Sequence, residues 1–322
     1  MFDRWKIRFR ALKWFINAYR SPGITFSYSP TMFSTWEKDT ESLLTKENIS
    51  RLKYNTDEQS CKVLNLFLDE LKFFLKLQRY NHAIVKDLLH DEDKREREKF
   101  RLEAEKYKKS GIPEPLPPES LYFHHGLRFA HEAVKKYVEH KIFIDGGSCA
   151  GDSTLVFQMY HPRKVLAFDI SPKTASLFHK VMKRMNVPKE KYLQIQKGLG
   201  EKYEELYFND KGDCSVSLSC SGSTKAEIIP LDECVEINSC VGLIKLDLEG
   251  FGLQAVRGMI NTIKRDRPIL SFAVYHCFSE LFGIKTLLDD LDLKYKIEYK
   301  SCYFDGVGEL IIFAYPEELL EC

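Results

Sequence analysis

Apolar residues recur at helical spacing in the first part of the chain and in short unbroken runs in the second. From Leu64 the series Leu64, Phe67, Leu68, Leu71, Phe74 and Leu75 keeps to one face of a 3.6-residue period and predicts an amphipathic helix. Ile84, Val85, Leu88 and Leu89 extend that apolar helical face. Nearer the N-terminus, Trp5, Phe9, Leu12, Ile16 and Tyr19 alternate spacings of four and three among six Lys/Arg and one acid, Asp3. They predict a basic amphipathic helix, expected to pack on its own domain or a second subunit in preference to a membrane surface. Residues 21 to 55 show no readable period.

Between Asp91 and Lys109 charges of both signs dominate, and the pairs Asp91/Arg95, Asp93/Arg97 and Glu105/Lys109 are set four apart. That spacing supports an exposed helix, read as a solvated helix or connector in preference to a partner-binding arm. Gly111 and the four prolines between Ile112 and Pro118 then stop any helix, because proline lacks the amide and clashes in a helix interior. The expected division is a helical N-terminal region over 1–118 and a second domain over 119–322.

In that second part the runs Ile142–Ile144, Val165–Phe168, Tyr192–Gln196, Val241–Leu246, Ile269–Tyr275 and Leu310–Ala314 alternate with helical patterns. One helix starts at a Ser171 cap with Pro172 in first position and places Phe178, Val181, Met182 and Met185 on one face. Another aligns Leu253, Val256, Ile260 and Ile263. Continuous apolar strands alternating with helices predict an α/β fold of Rossmann-like type: a mostly parallel sheet with helices on both faces.

At 322 residues, with 44% hydrophobic and 30% charged residues, the chain can bury a sizeable core. A formal net charge of +1 supplies no global argument for nucleic acid or an anionic membrane. Nine cysteines form no pair or cluster at zinc spacing, which suggests reduced thiols and a cytoplasmic protein. No stretch approaches the roughly 18 to 20 apolar residues of a membrane span, so no transmembrane segment is expected.

The chemistry concentrates at strand ends. The first run ends in Asp145 and passes through Gly146, Gly147, Ser148, Cys149, Ala150 and Gly151 into a helix beginning near Asp152 or Ser153. A dinucleotide fingerprint needs Gly-x-Gly-x-x-Gly, which no register here supplies. The flanking acids Asp145 and Asp152 suit a sulfonium and an amino group better than a pyrophosphate, which points to S-adenosylmethionine. Asp169, 24 residues after Asp145 at the end of the next run, is placed to accept from both hydroxyls of a ribose. In a second cluster, Lys245, Asp247 and Glu249 share one side of a strand if the strand persists. One carboxylate could orient or deprotonate an acceptor hydroxyl while Lys245 keeps a neighbour ionised, and His276 is a further candidate base. Asp247 and Glu249 lack an evident third ligand, so no metal is expected.

With these residues in view, Leu121 to Pro316 resembles the FkbM-type methyltransferases. The likeness rests on Phe143-Ile144-Asp145-Gly146-Gly147 through Gly151-Asp152-Ser153, Ala167-Phe168-Asp169, Ser215 to Ser219, Pro230-Leu231-Asp232 and Ile244 to Gly250. Arg267-Pro268-Ile269 and Val274-Tyr275-His276 follow in order. The resemblance implies a Rossmann-like fold and methyl transfer from S-adenosylmethionine to a hydroxyl of a sugar or glycan precursor; with a net charge of only +1, no nucleic-acid partner is expected. Ser148-Cys149 stands where the family commonly has Ala-Asn, and Asp169 where it commonly has Glu. The N-terminal helices, outside the resemblance, are left for homo-oligomer or partner contacts. Two rivals are a nicotinamide-dependent sugar oxidoreductase, opposed by the missing third glycine, and a non-catalytic Rossmann-like assembly protein.

Overall fold

The computed structural model describes residues 25–28, 36, 40–77, 83–86, 91–109, 116–210, 222–237, 239–302 and 309–321. The basic helix expected over 1–20, Gly111 to Pro115 of the linker and the Ser215 to Ser219 motif lie outside the described residues. Among the described residues no helix is long and apolar enough to cross a membrane.

The N-terminal part holds strand β1 (Thr25–Tyr28), helices α1 (Thr40–Leu43), α2 (Lys46–Lys53) and α3 (Glu58–Leu77), strand β2 (Ala83–Lys86) and helix α4 (Asp91–Lys109). The expected helix around Leu64 and the charged helix from Asp91 are both present. Ile84 and Val85 are not helical: they sit in β2, antiparallel to β1, with Val85 opposite Phe26. β-Branched side chains are stiff in a helix and pack well on a pleated surface, which favours the strand.

The remainder is built on a seven-stranded sheet of β3 (Ile142–Gly146), β4 (Lys164–Phe168), β5 (Tyr192–Ile195), β9 (Val241–Leu246), β10 (Ile269–Ala273), β11 (Tyr295–Ser301) and β12 (Leu310–Pro316), in the spatial order β11-β12-β10-β9-β3-β4-β5. Five neighbouring strands are parallel, and β12 runs antiparallel to both β10 and β11. A small sheet of β6 (Gly198–Leu199), β7 (Glu204–Phe208) and β8 (Thr224–Ile229) stands beside it. Every residue of β3, β9, β10 and β12 is buried, as expected of strands covered on both faces. Successive side chains of β3 serve opposite cores, Ile142 and Ile144 on one face and Phe143 on the other.

Helices α5 (Pro118–Phe123), α6 (Glu132–Val138), α7 (Asp152–Phe157), α8 (Pro172–Arg184), α9 (Gly252–Arg257), α10 (Ile260–Asp266) and α11 (Lys285–Asp290) complete the layers. Ser171 caps α8, its hydroxyl accepting from the Thr174 amide at 3.2 Å. The single helix expected through Leu253 and Ile263 is two, broken at Gly258, where a Cβ would stand 1.8 Å from the Gly200 carbonyl oxygen. Residues ahead of 119 join both cores: Trp36, Leu52, Leu64, Phe67, Leu68 and Leu71 on one face, Phe100, Ala104 and Leu116 on the other.

Candidate functional site

Chain order reverses between β3 and β9, since β4 and β5 extend the sheet to one side of β3 and β9 adds on the other. In open α/β sheets a ligand crevice opens at the carboxyl ends of such a pair. Asp145 and Lys245 are register partners there. Asp145 is fully buried and accepts from Ser153 Oγ at 2.9 Å and Thr154 Oγ1 at 2.6 Å. Lys245 Nζ lies 3.3 Å from Asp145 Oδ1 and donates to the carbonyls of Gly147 at 2.8 Å and Gly146 at 3.2 Å. Burial alone would lower the Lys245 pKa, yet the carboxylates of Asp145, Asp247 and Asp152 outweigh it and hold the ammonium above its ordinary value. Lys245 is therefore a charged latch under the loop and is not disposed to accept a proton. Asp145 and Ser153, expected to face a cofactor, instead brace the loop from inside.

The loop itself is shaped by close approach. Gly147 has a φ of +74°, and a Cβ there would stand 1.9 Å from the Asp247 carbonyl oxygen. Gly151, at +88°, leads into α7 with Phe178 and Met182 within 2.8 Å of where its Cβ would be. Gly146 is hemmed in as well, Leu246 lying 2.7 Å from its would-be Cβ. The amides of Gly147 and Ser148 both donate to the Phe168 carbonyl, which straps the loop over the end of β4. Ser148 Oγ is buried with no hydrogen-bond partner among the described residues. Cys149 takes a left-handed φ of +40° and donates its amide to Asp169 Oδ2 at 2.9 Å. Asn enters that region more readily than most residues, a physical reason for the family's usual choice at this place. Cys149 is disulfide-bonded, so the nine cysteines are not all the reduced thiols their spacing suggested.

Asp169 stands at the end of β4 beside the loop, as expected, and its Oδ1 accepts from the Ser171 amide at 2.9 Å and from Thr174 Oγ1 at 2.8 Å. Asp152, the first residue of α7, is buried; burial raises its pKa despite a hydrogen bond with Ser120.

The second cluster converges on His276, which follows β10. Its Nδ1 lies 2.9 Å from Glu280 Oε2, while its Nε2 faces Asp247 Oδ1 at 3.3 Å and Glu249 Oε2 at 3.7 Å. Glu280 is fully buried, and its Oε1 accepts from the Gly252 amide at 2.8 Å. Tyr275 donates its hydroxyl to Asp247 Oδ1 at 3.4 Å, and its ring centroid lies 4.0 Å from that of His276 with the rings tilted by 37°. Trp36 Nε1 donates to the Tyr275 carbonyl at 2.8 Å and so ties the N-terminal part to this edge. Burial opposes a charge on His276, but Asp247 and Glu280 outweigh it and raise the pKa well above the usual histidine range. Burial likewise opposes ionisation of Asp247, and His276 and then Lys245 outweigh it, holding the carboxyl well below its ordinary value. At neutral pH the pair is an imidazolium facing a carboxylate. In that arrangement His276 acts as a clamp on Asp247.

Asp247 and Glu249 meet His276 at one edge, but β9 ends at Leu246, short of both, and Lys245 turns away to Asp145 and the loop carbonyls. Glu280 and His125 were not singled out there. Glu280 carried a readable signal, standing four residues after His276 at the spacing of one helical turn. His125 stays neutral, with burial and then the Lys245 charge lowering its pKa to about 3.

An FkbM methyltransferase from Methylobacillus flagellatus KT superposes with a TM-score of 0.57 at 16% identity, over 86% of this chain and 60% of that one. The fold is the Rossmann-like methyltransferase fold. An rRNA methylase from Streptococcus thermophilus aligns with a TM-score of 0.40 at 11% identity, covering 58% of this chain and 93% of its own. A methyltransferase from Streptococcus mutans in complex with SAH aligns at 0.38 and 12% identity, covering 58% and 96%. These last two likenesses are too distant to support any argument. No family model matches the sequence, and no curated protein matches it.

Proposed function

We propose that this protein is an S-adenosylmethionine-dependent O-methyltransferase of FkbM type, acting on a hydroxyl of a sugar or glycan precursor. The observation that carries the reading is the Asp145 to Ser153 loop, held at the β3/β9 crevice by Lys245 and tied to Asp169 through the Cys149 amide. The groups at this crevice fit the cofactor. Asp152, Asp169 and Asp247 present carboxylates, and the Lys245 cation is turned onto Asp145 and the loop carbonyls. Such a lip favours a sulfonium and an ammonium over a pyrophosphate. Ser148 Oγ is a buried hydroxyl with bonding capacity to spare.

When bound, the cofactor supplies a methyl group already activated by its sulfonium. Asp169 would hold the ribose hydroxyls, with Gly146, Gly147, Ser148, Gly151 and Asp152 forming the ledge beneath. Asp145 and Ser153 contribute by keeping the ledge in shape. Asp247, kept ionised by His276, accepts from the acceptor hydroxyl and orients it, and Glu249 borders the same mouth. Much of the catalysis is then orientation. The sugar class rests on the family resemblance, and all the assigned residues fall in 119–322, with the preceding residues packing on both faces of its sheet.

Calorimetry with the demethylated cofactor, followed by mass spectrometry of neutral methyl glycosides and glycans incubated with S-adenosylmethionine, tests the proposal. Cofactor uptake and gain of one methyl group support it. Absence of uptake sinks it.

A further inference from the structure

His276 has a carboxylate at each side of its ring: Nδ1 lies 2.9 Å from Glu280 Oε2, and Nε2 lies 3.3 Å from Asp247 Oδ1. An ionised carboxylate only accepts, so this arrangement favours a proton on both ring nitrogens. Glu280 stands in a π-helical turn, Ser279–Ile284, with its side chain fully buried. Its other oxygen, Oε1, accepts from the Gly252 amide at 2.8 Å. A Cβ on Gly252 would stand 2.7 Å from that oxygen, so a side chain there would push the carboxylate away. Asp247 and Gly252 are the two ends of the loop that joins β9 to α9. One end is held through His276 and the other by Glu280 directly. Between them Glu249 takes a left-handed φ of +51° and Gly250 one of +100°. A residue other than glycine persists in that region when its surroundings hold it there.

We propose that Glu280 is a positioning residue for methyl transfer: it fixes His276 and the loop from Asp247 to Gly252, and so aims the Asp247 carboxylate at the acceptor hydroxyl. The role rests on the methyl-transfer reading above. An acceptor can reach Asp247, whose side chain is 27% exposed, but not Glu280, whose side chain is at 0%. Glu280 therefore acts through its two hydrogen bonds and not on the acceptor itself. The same carboxylate serves both bonds, so the direction of His276 and the start of α9 are set together. Buried partners that lock a functional side chain in one rotamer keep it in productive geometry. The stake is large, since a displacement of about 1 Å can slow a positioned reaction roughly 100-fold.

Glu280→Gln on the full chain is the test. Glutamine keeps the length and still accepts from the Gly252 amide, but its amide nitrogen then faces His276 Nδ1 and donates where the carboxylate accepted. Methyl transfer to methyl glycosides at saturating S-adenosylmethionine should slow roughly 100-fold, with affinity for the demethylated cofactor unchanged. Because Glu280 acts through His276, adding Glu280→Gln to His276→Gln should slow transfer no further, whereas two independent losses would multiply. Nitrogen NMR of the His276 ring should show a proton on Nδ1 in the wild type and its loss in Glu280→Gln. A wild-type ring without that proton overturns the proposal, whether or not the variant folds. A wild-type rate in Glu280→Gln, or a full further loss in the double variant, overturns it too and leaves the methyltransferase reading standing. A wild-type protein that takes up no cofactor overturns both.

Discussion

Lys245 and Asp145 face each other across adjacent parallel strands, 3.3 Å apart and both buried, and the same ammonium holds the carbonyls of Gly146 and Gly147. The strand pair, the charge pair and the loop are one unit. A residue that reads as catalytic from its place in the sequence is spent on architecture.

Lys245→Met should therefore leave Asp145 as an uncompensated buried charge and lower stability by about 3–5 kcal/mol, as for other broken buried pairs. Adding Asp145→Asn should recover part of that loss, because the orphaned charge is removed. Urea unfolding of the two single variants and the double variant measures the coupling; additive losses would show that the pair is not a unit.

Gly147→Ala tests the loop. The added methyl would meet the Asp247 carbonyl at 1.9 Å, and alanine is strained at a φ of +74°. The loop and the β9 end must separate, so affinity for the demethylated cofactor should fall at least about tenfold, which is roughly 1.4 kcal/mol. Calorimetry checks this, and an unchanged dissociation constant would place the cofactor elsewhere.

The His276 clamp predicts a pH signature. The folded-state pKa of His276 is raised, so its contribution is complete below the usual 6.5 and is lost as pH rises through the higher folded value. Asp247 is depressed, so its contribution is present above the usual 3.8 and is lost as pH falls through the lower folded value. The stability gap between wild type and His276→Gln should be widest between 3.8 and 6.5 and shrink in alkali. Thermal midpoints across that range measure it, and a gap that widens in alkali would refute the charged clamp.

The parts of this fold that could be read in advance are those where a local pattern and the tertiary environment agree. β3, β4, β9 and β10 are buried on both faces over nearly their whole length, so their sequences are predominantly apolar, with Lys245 and Ser271 as buried polar exceptions in β9 and β10. β11 escaped notice because it is a sheet edge with alternating burial, Tyr295, Ile297 and Tyr299 inside and Lys296 and Glu298 half-exposed. In the small sheet, β7 and β8 have the same half-polar texture, and β6 is only two residues long. At the site, spacing located Asp145, Asp169, Asp247 and His276, but it could not tell which way each side chain turns. That is decided by partners distant in sequence, such as Lys245 for Asp145 and Glu280 for His276.

Asp169 offers the sharpest test of the cofactor assignment. Its carboxylate already receives the Cys149 and Ser171 amides and the Thr174 hydroxyl, so its orientation is fixed before a ligand arrives. Hydrogen bonds from ribose hydroxyls to that charged group should each be worth about 1.5–3 kcal/mol. Asp169→Asn keeps the shape and removes the charge, so affinity for the demethylated cofactor should drop roughly 10- to 100-fold. A structural loss alone would weaken every ligand equally. The 2′-deoxy form of the demethylated cofactor separates the two causes: it should bind the wild type less tightly than the parent compound, and that difference should shrink in Asp169→Asn. Equal penalties in both proteins would mean that Asp169 only braces the loop and that the ribose is held by another group.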